Sequence, residues 1–235
     1  MSQVHELIPI VDAIPAVEVV AIPAQRPQRR LTSEMIARKI FHINGGTPTW
    51  FIRFLRPTTL IAFTLFLLIL NKYIMPRLAD GRRFWHWERF WRESERKKGT
   101  PSGILVYCVS VLVLSIIFFQ HKWMIAAIWG VLAYGDGMAE LAGRGLRGPT
   151  LPWNRNKHWT GSSAFVLFGG LTASALMAWT THGAFTAALP LGFALATICA
   201  IAESLPIPMD DNITVPLTGA IALPLLAMIP ALGIT

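Results

Sequence analysis

Five long apolar runs, each separated from the next by a short polar segment, decide what this chain can fold into. They cover residues 104–120, 123–141, 164–179, 184–205 and 213–234, and a helix needs roughly 20 such residues to cross a bilayer. The apolar residues are continuous rather than alternating, which predicts helices and argues against a β-barrel. A further stretch, 58–70, is apolar but short for a crossing. Of the 235 residues 53% are hydrophobic and 14% charged, too apolar a balance for an ordinary soluble domain. The expected fold class is all-α: a polytopic integral membrane helical bundle of about six transmembrane helices.

The net charge of +8 is concentrated in the loops, the pattern of segments beside anionic lipid rather than of a nucleic-acid surface. Segment 72–98 is the richest in Lys and Arg. It predicts a helix over 82–98 on which Phe84, Trp87 and Trp91 share a face, while Glu88–Arg92 and Glu93–Lys97 stand four apart. The positive-inside rule places this loop in the cytoplasm, and counting crossings puts 143–160 and 203–212 on the same side. Cys108 and Cys199 fall inside apolar runs and read as small packing residues.

Residues 1–30 carry Pro9, Pro15, Pro23 and Pro27 with no helical stripe and no signal-peptide pattern, and are expected to form a flexible tail. The rest, 31–235, reads as one membrane-embedded domain, with a basic, Trp-rich loop at 72–102 and an anion-binding loop at 143–160. Thr32-Ser33-Glu34 signals the start of a short helix to Phe41, amphipathic and basic, suited to the membrane surface. Between 43 and 70 two arrangements fit: one long tilted helix, or a hairpin turning at Pro57.

Two carboxylates, Asp136 and Glu140, end the second long run. Four apart, they share a helix face. An ionisable group at membrane depth is costly and marks a functional site by default, and carboxylates at a helix C-terminus oppose its dipole, so capping does not account for them. Contact with Mg²⁺ or a substrate hydroxyl does. The loop that follows has Gly143 and Gly148 in GxxxxG spacing, but Pro149-Thr150 stands where a P-loop needs Lys and Ser or Thr. What remains is a set of cations, Arg144, Arg147, Arg155 and Lys157. Lys157 is preferred as a phosphate ligand because Thr160-Gly161-Ser162 opens a helix whose amides attract anions. A third cluster, Glu203 with Asp210, Asp211 and Asn212, offers the hard oxygen ligands that Mg²⁺ requires from a second place, and Asp211 or Asn212 also suits a helix cap. His42, His158 and His182 lack metal-ligand spacing and read as surface or interfacial histidines.

These blocks carry a resemblance. Gly135-Asp136 through Ala139, Gly143-Arg144, Leu151-Pro152-Trp153-Asn154, Lys157 and Gly161-Ser162 resemble the CTP-dependent polyprenol kinase family, which includes dolichol kinase and phytol kinase. Glu203-Ser204-Leu205-Pro206 and Asp210 through Pro216 resemble the phytol kinase branch and its phytyl-phosphate kinase relatives. Arg38-Lys39 followed by His42 is similar to a basic motif near the start of such proteins. The likeness covers about 38–217. The first block also resembles phosphatidate cytidylyltransferases, but their closing signature with Lys-Asp and His-Gly-Gly is absent here, which favours the kinase.

The resemblance implies a membrane enzyme that moves the γ-phosphate of CTP to an isoprenoid alcohol such as phytol, with Mg²⁺ as cofactor. Asp136 and Glu140, with Asp210 and Asp211, are then expected to hold Mg²⁺ or orient the hydroxyl. Gly143, Arg144, Lys157, Gly161 and Ser162 are expected at the nucleotide, in a bacterial plasma membrane or a photosynthetic one, with the site on the cytoplasmic side. Phytyl monophosphate, a diacylglycerol or phosphatidate as the lipid are the alternatives. A transporter is disfavoured, since no internal repeat accompanies the acids.

Overall fold

A computed structural model describes residues 31–75, 77, 91, 95, 97, 101–146 and 148–232. The expected tail 1–30, most of the expected helix 82–98, and Arg147 lie outside the described residues.

All the described elements are helical. Helix α1 (Ser33–Asn44) starts where the cap signal predicts, with Thr32 Oγ1 accepting from the Met35 N–H at 3.3 Å. Neither arrangement expected for 43–70 occurs. Gly45 and Gly46 end α1, a 3₁₀ segment runs Thr47–Phe54, and Leu55 and Arg56 are extended before Pro57 opens α2 (Pro57–Ile69). A residue preceding proline is driven to extended backbone, so the break falls at Arg56. The 3₁₀ carbonyls left over at the break are taken by Lys122, whose Nζ donates to Arg53 O at 3.0 Å and Leu55 O at 3.1 Å. After α2, a π-helical turn, Leu70–Ile74, continues the same run.

Five further helices follow the runs read from sequence. They are α3 (Ser102–Ile117), α4 (Lys122–Gly130) leading without a break through a π-helical turn (Val131–Asp136) into α5 (Gly137–Leu146), α6 (Trp159–Thr181) and α7 (Phe185–Ser204). The last, α8 (Asp211–Ala227), stops short of the expected 234. Three stretches, Pro57–Ile74, Trp159–Thr181 and Phe185–Ser204, are long and apolar enough to cross a membrane, whereas Ser102–Ile117 and Asp211–Ala227 are apolar but shorter. Length and composition thus support three of the expected crossings.

The core is built on α4 and the π-helical turn that follows it, whose residues from Ile125 to Leu132 are buried on every face. Helix α6 packs along it and along α7, with small residues at the crossings, as membrane helices pack. A Cβ on Gly192 would lie 2.9 Å from the Gly170 carbonyl oxygen, and one on Gly161 would lie 2.9 Å from that of Ala139. Helix α8 contains Pro216, which cannot donate to the Asn212 carbonyl four residues back. Ser110 Oγ from α3 donates to that carbonyl instead, at 2.6 Å. The proline therefore ties α8 to α3 next to the acidic cluster.

Candidate active site

The charged residues converge at one end of the bundle. Asp136 closes the π-helical turn and is 4% exposed; such turns place side chains where a regular helix would not. Far from a helix C-terminus, Asp136 lies inside a continuous helical run that ends ten residues later at Leu146.

Opposite it lies α1, and here the expectation of a surface helix is corrected. Its basic face turns inward. Lys39 is buried, with Nζ 2.9 Å from Asp136 Oδ2 and 2.9 Å from Glu140 Oε2. Arg38 Nη2 lies 3.1 Å from Glu140 Oε1, and Arg144 Nε lies 3.1 Å from the same oxygen. His42 is not a surface histidine: its Nε2 is 3.0 Å from Leu132 O and 3.2 Å from Asp136 Oδ2. A carbonyl only accepts, so Nε2 carries a proton. Burial and the charge of Lys39 outweigh the pull of Asp136 and hold the His42 pKa below its usual value. For Lys39, burial works against the charge, but the Asp136 and Glu140 carboxylates prevail and raise the pKa above the usual lysine value. The contacts of Lys39 and His42 with Asp136 both fall on Oδ2.

The loop before α6 delivers the second half. Leu151 N donates to Lys157 O at 2.9 Å and Lys157 N to Asn154 O at 3.0 Å, closing a tight turn. Asn154 Nδ2 donates to Ser204 O at 3.0 Å and Trp153 Nε1 to Ser204 Oγ at 3.1 Å, so the Leu-Pro-Trp-Asn segment grips the end of α7. That grip brings Lys157 Nζ onto the Glu203 carboxylate, with Asp211 Oδ2 3.5 Å away. Burial lowers the Lys157 pKa, and Glu203 and Asp211 together more than reverse it, giving a net rise.

One carboxylate oxygen each from Asp136, Glu203 and Asp211 lies within 4.8 Å of the others. Three hard oxygens from three helices fit a divalent cation of the Mg²⁺ type. Glu203 stands here in place of the expected Asp210. Asp210 caps α8 instead, its Oδ1 accepting from Asn212 N at 3.0 Å, a role the sequence reading gave to Asp211 or Asn212. A cavity of about 530 Å³ opens over this centre, and Gly143, Arg144, Lys157, Gly161 and Ser162 line it with Asp136, Glu140, Glu203 and Asp211. Gly143 and Gly161 also pack on each other, with the Gly161 Cα 3.4 Å from where a Cβ on Gly143 would stand. His158 lines the cavity and His182 lies elsewhere, against Arg53. Asn71 and Tyr107, which line a cavity together with residues of α1, were not legible as site residues; an amide just past the 58–70 run and a phenol inside the 104–120 run are the available signal.

Fold and site together define a helical protein, with three helices long and apolar enough to cross a membrane and a buried cluster of acids and bases at one end. No family model matches the sequence, and no solved structure matches it. Among curated proteins it is 41% identical over 124 residues to a probable phytol kinase 3, chloroplastic, of Glycine max, covering 50% of this chain and 39% of that protein. It is 31% identical over 208 residues to a probable phytol kinase 1, chloroplastic, of Oryza sativa subsp. japonica, covering 83% and 65%. It is 28% identical over 204 residues to a farnesol kinase, chloroplastic, of Arabidopsis thaliana, covering 83% and 66%. The chain is thus similar to curated phytol and farnesol kinases, and it spans between 39% and 66% of the length of these three relatives.

Proposed function

We propose that the protein is a membrane lipid kinase that transfers the γ-phosphate of CTP to an isoprenoid alcohol such as phytol. The relatives named for phytol and farnesol support the acceptor class. The observation that carries the chemistry is the convergence of Asp136, Glu203 and Asp211 with Lys157 on one polar cavity. Phosphoryl transfer asks for positioning and neutralisation of charge, and this cluster offers both.

In this reading the alcohol oxygen attacks the γ-phosphorus, the bond from that phosphorus to the β,γ-bridging oxygen breaks, and the nucleoside diphosphate leaves. The alcohol proton passes to Asp136 Oδ1, since Lys39 and His42 hold Oδ2. Arg144 and Lys157 bind the phosphates, Ser162 adds a hydroxyl, and Glu140 orients Arg38, Lys39 and Arg144. Glu203 and Asp211, beside Asp136, would hold Mg²⁺, which neutralises phosphate charge when bound. The need is clear from the charges: Arg38, Lys39, Arg144 and Lys157 are already paired with carboxylates. The charged end faces the compartment that contains nucleotide.

Membranes containing the protein, given CTP labelled at the γ-phosphate, test this with phytol, farnesol, geranylgeraniol, phytyl monophosphate and diacylglycerol offered in parallel, and labelled ATP as the comparison. Label is expected in an isoprenoid monophosphate, more from CTP than from ATP, with release of CDP. Label in no lipid, or release of pyrophosphate, overturns the proposal.

A further inference from the structure

Asp136 stands between two cavities. Besides the polar one, a cavity of about 320 Å³ opens between α1, α2, α3 and the start of α8, within the usual size range of small-molecule pockets. Arg38, Asp136, Glu140 and Asp211 wall both. Phe41, Leu67, Ile104 and Tyr107 give the second cavity an apolar side, alongside the polar side chains of Lys39, His42, Glu95 and Asp210. One wall is the end of α2, a helix whose flank of Leu65, Phe66 and Ile69 is exposed among the described residues and suits contact with lipid.

Two amides indicate what this chamber receives. Asn71 and Asn212 both line it and are 7% and 6% exposed. Asn71 Nδ2 donates to Leu67 O at 2.8 Å and Asn212 Nδ2 to Gly103 O at 3.2 Å. Because a carbonyl only accepts, these bonds fix the orientation of each amide. Both Oδ1 atoms are then left buried with no hydrogen-bond partner among the described residues, a costly arrangement unless a donor arrives. A ligand suited to this lining carries an apolar chain and an O–H group, whose single proton reaches at most one acceptor at a time.

We propose that this chamber binds the hydroxyl end of the isoprenoid alcohol, so that the acceptor and the nucleotide reach Asp136 from different cavities. The assignment rests on the kinase reading for the identity of the alcohol. Lipid-side entry past α2 and nucleotide entry past Lys157 then never compete for one opening.

The test is photolabelling of the full chain in its membranes with a diazirine-bearing isoprenoid alcohol, beside kinetics of Ile104→Trp and Leu67→Phe. Label is expected in the peptides that hold Leu67 or Ile104, removed by excess phytol and unaffected by CTP. Narrowing the chamber is expected to raise the KM for phytol about tenfold or more and leave the KM for CTP within about twofold. If either variant fails to fold, the labelling of the unaltered protein still decides. Label outside the chamber in a protein that phosphorylates phytol overturns the chamber alone. Phytol-competed label inside it, in a protein that transfers no phosphate, overturns the kinase reading and leaves the chamber standing.

Discussion

Lys39 neutralises two buried carboxylates at once, which makes it the residue on which the cluster's balance depends. Removing one partner of a buried ion pair leaves an uncompensated charge, so Lys39→Met is expected to cost about 3–5 kcal/mol of stability. Glu140→Gln in the same chain is expected to restore part of that loss but not activity, a coupling that thermal unfolding of the two single variants and the double variant in detergent measures. Glu203 and Asp210 separate in the same way. Glu203→Gln is expected to raise the Mg²⁺ concentration needed for half-maximal turnover by about tenfold or more, whereas Asp210→Asn, which keeps a capping oxygen, leaves that concentration unchanged. Titration of activity with Mg²⁺ after chelation distinguishes them. Asp136 and Glu140 were legible in the sequence because acids inside an apolar run are conspicuous. The partnership of Asp136 with Glu203 was not, since no spacing rule links the π-helical turn to the end of α7, which only the tertiary fold brings together. Lys39 and His42 were hidden differently: an amphipathic basic helix has the same pattern whether its cations meet lipid headgroups or buried carboxylates.

At the scale of elements, glycine contacts set how closely the helices approach. A Cβ on Gly192 would stand 2.1 Å from Ser174 Oγ and 2.9 Å from Gly170 O. The backbone oxygen cannot swing away, so Gly192→Ala is expected to lose roughly 1–3 kcal/mol by overpacking, seen as a lower unfolding midpoint with unaltered KM values for the protein that remains folded. The apolar runs made the helices themselves readable. The break at 43–70 was only half readable: Gly45-Gly46 and Pro57 are stop and start signals, but the 3₁₀ segment between them is held by distant groups. Lys122 takes its last carbonyls, and Arg53 Nη1 donates to Trp179 O at 3.4 Å. Local sequence carries no trace of such partners. The π-helical turn that sets Asp136 is likewise absent from any hydrophobic period, because one extra residue in a turn barely alters an apolar stripe.

For the whole molecule, the arrangement divides labour between the two ends of the bundle. Three helices with many exposed apolar side chains are long and apolar enough to cross a membrane, while loop 143–160 and segment 203–212 close over one end and meet through Asn154, Lys157 and Glu203. The sequence placed these two loops on one side by counting crossings, and their contact in the fold agrees with that. On the proposed function, Asp136 is where a lipid alcohol and a nucleoside triphosphate meet. The most direct measurement is transfer from γ-labelled CTP to phytol by the unaltered protein and by Asp136→Asn, each first shown by size-exclusion profile to be folded in detergent. The expected result is labelled phytyl monophosphate from the unaltered protein and a rate lower by about a hundredfold or more from the variant. Equal labelling by the two proteins would contradict it.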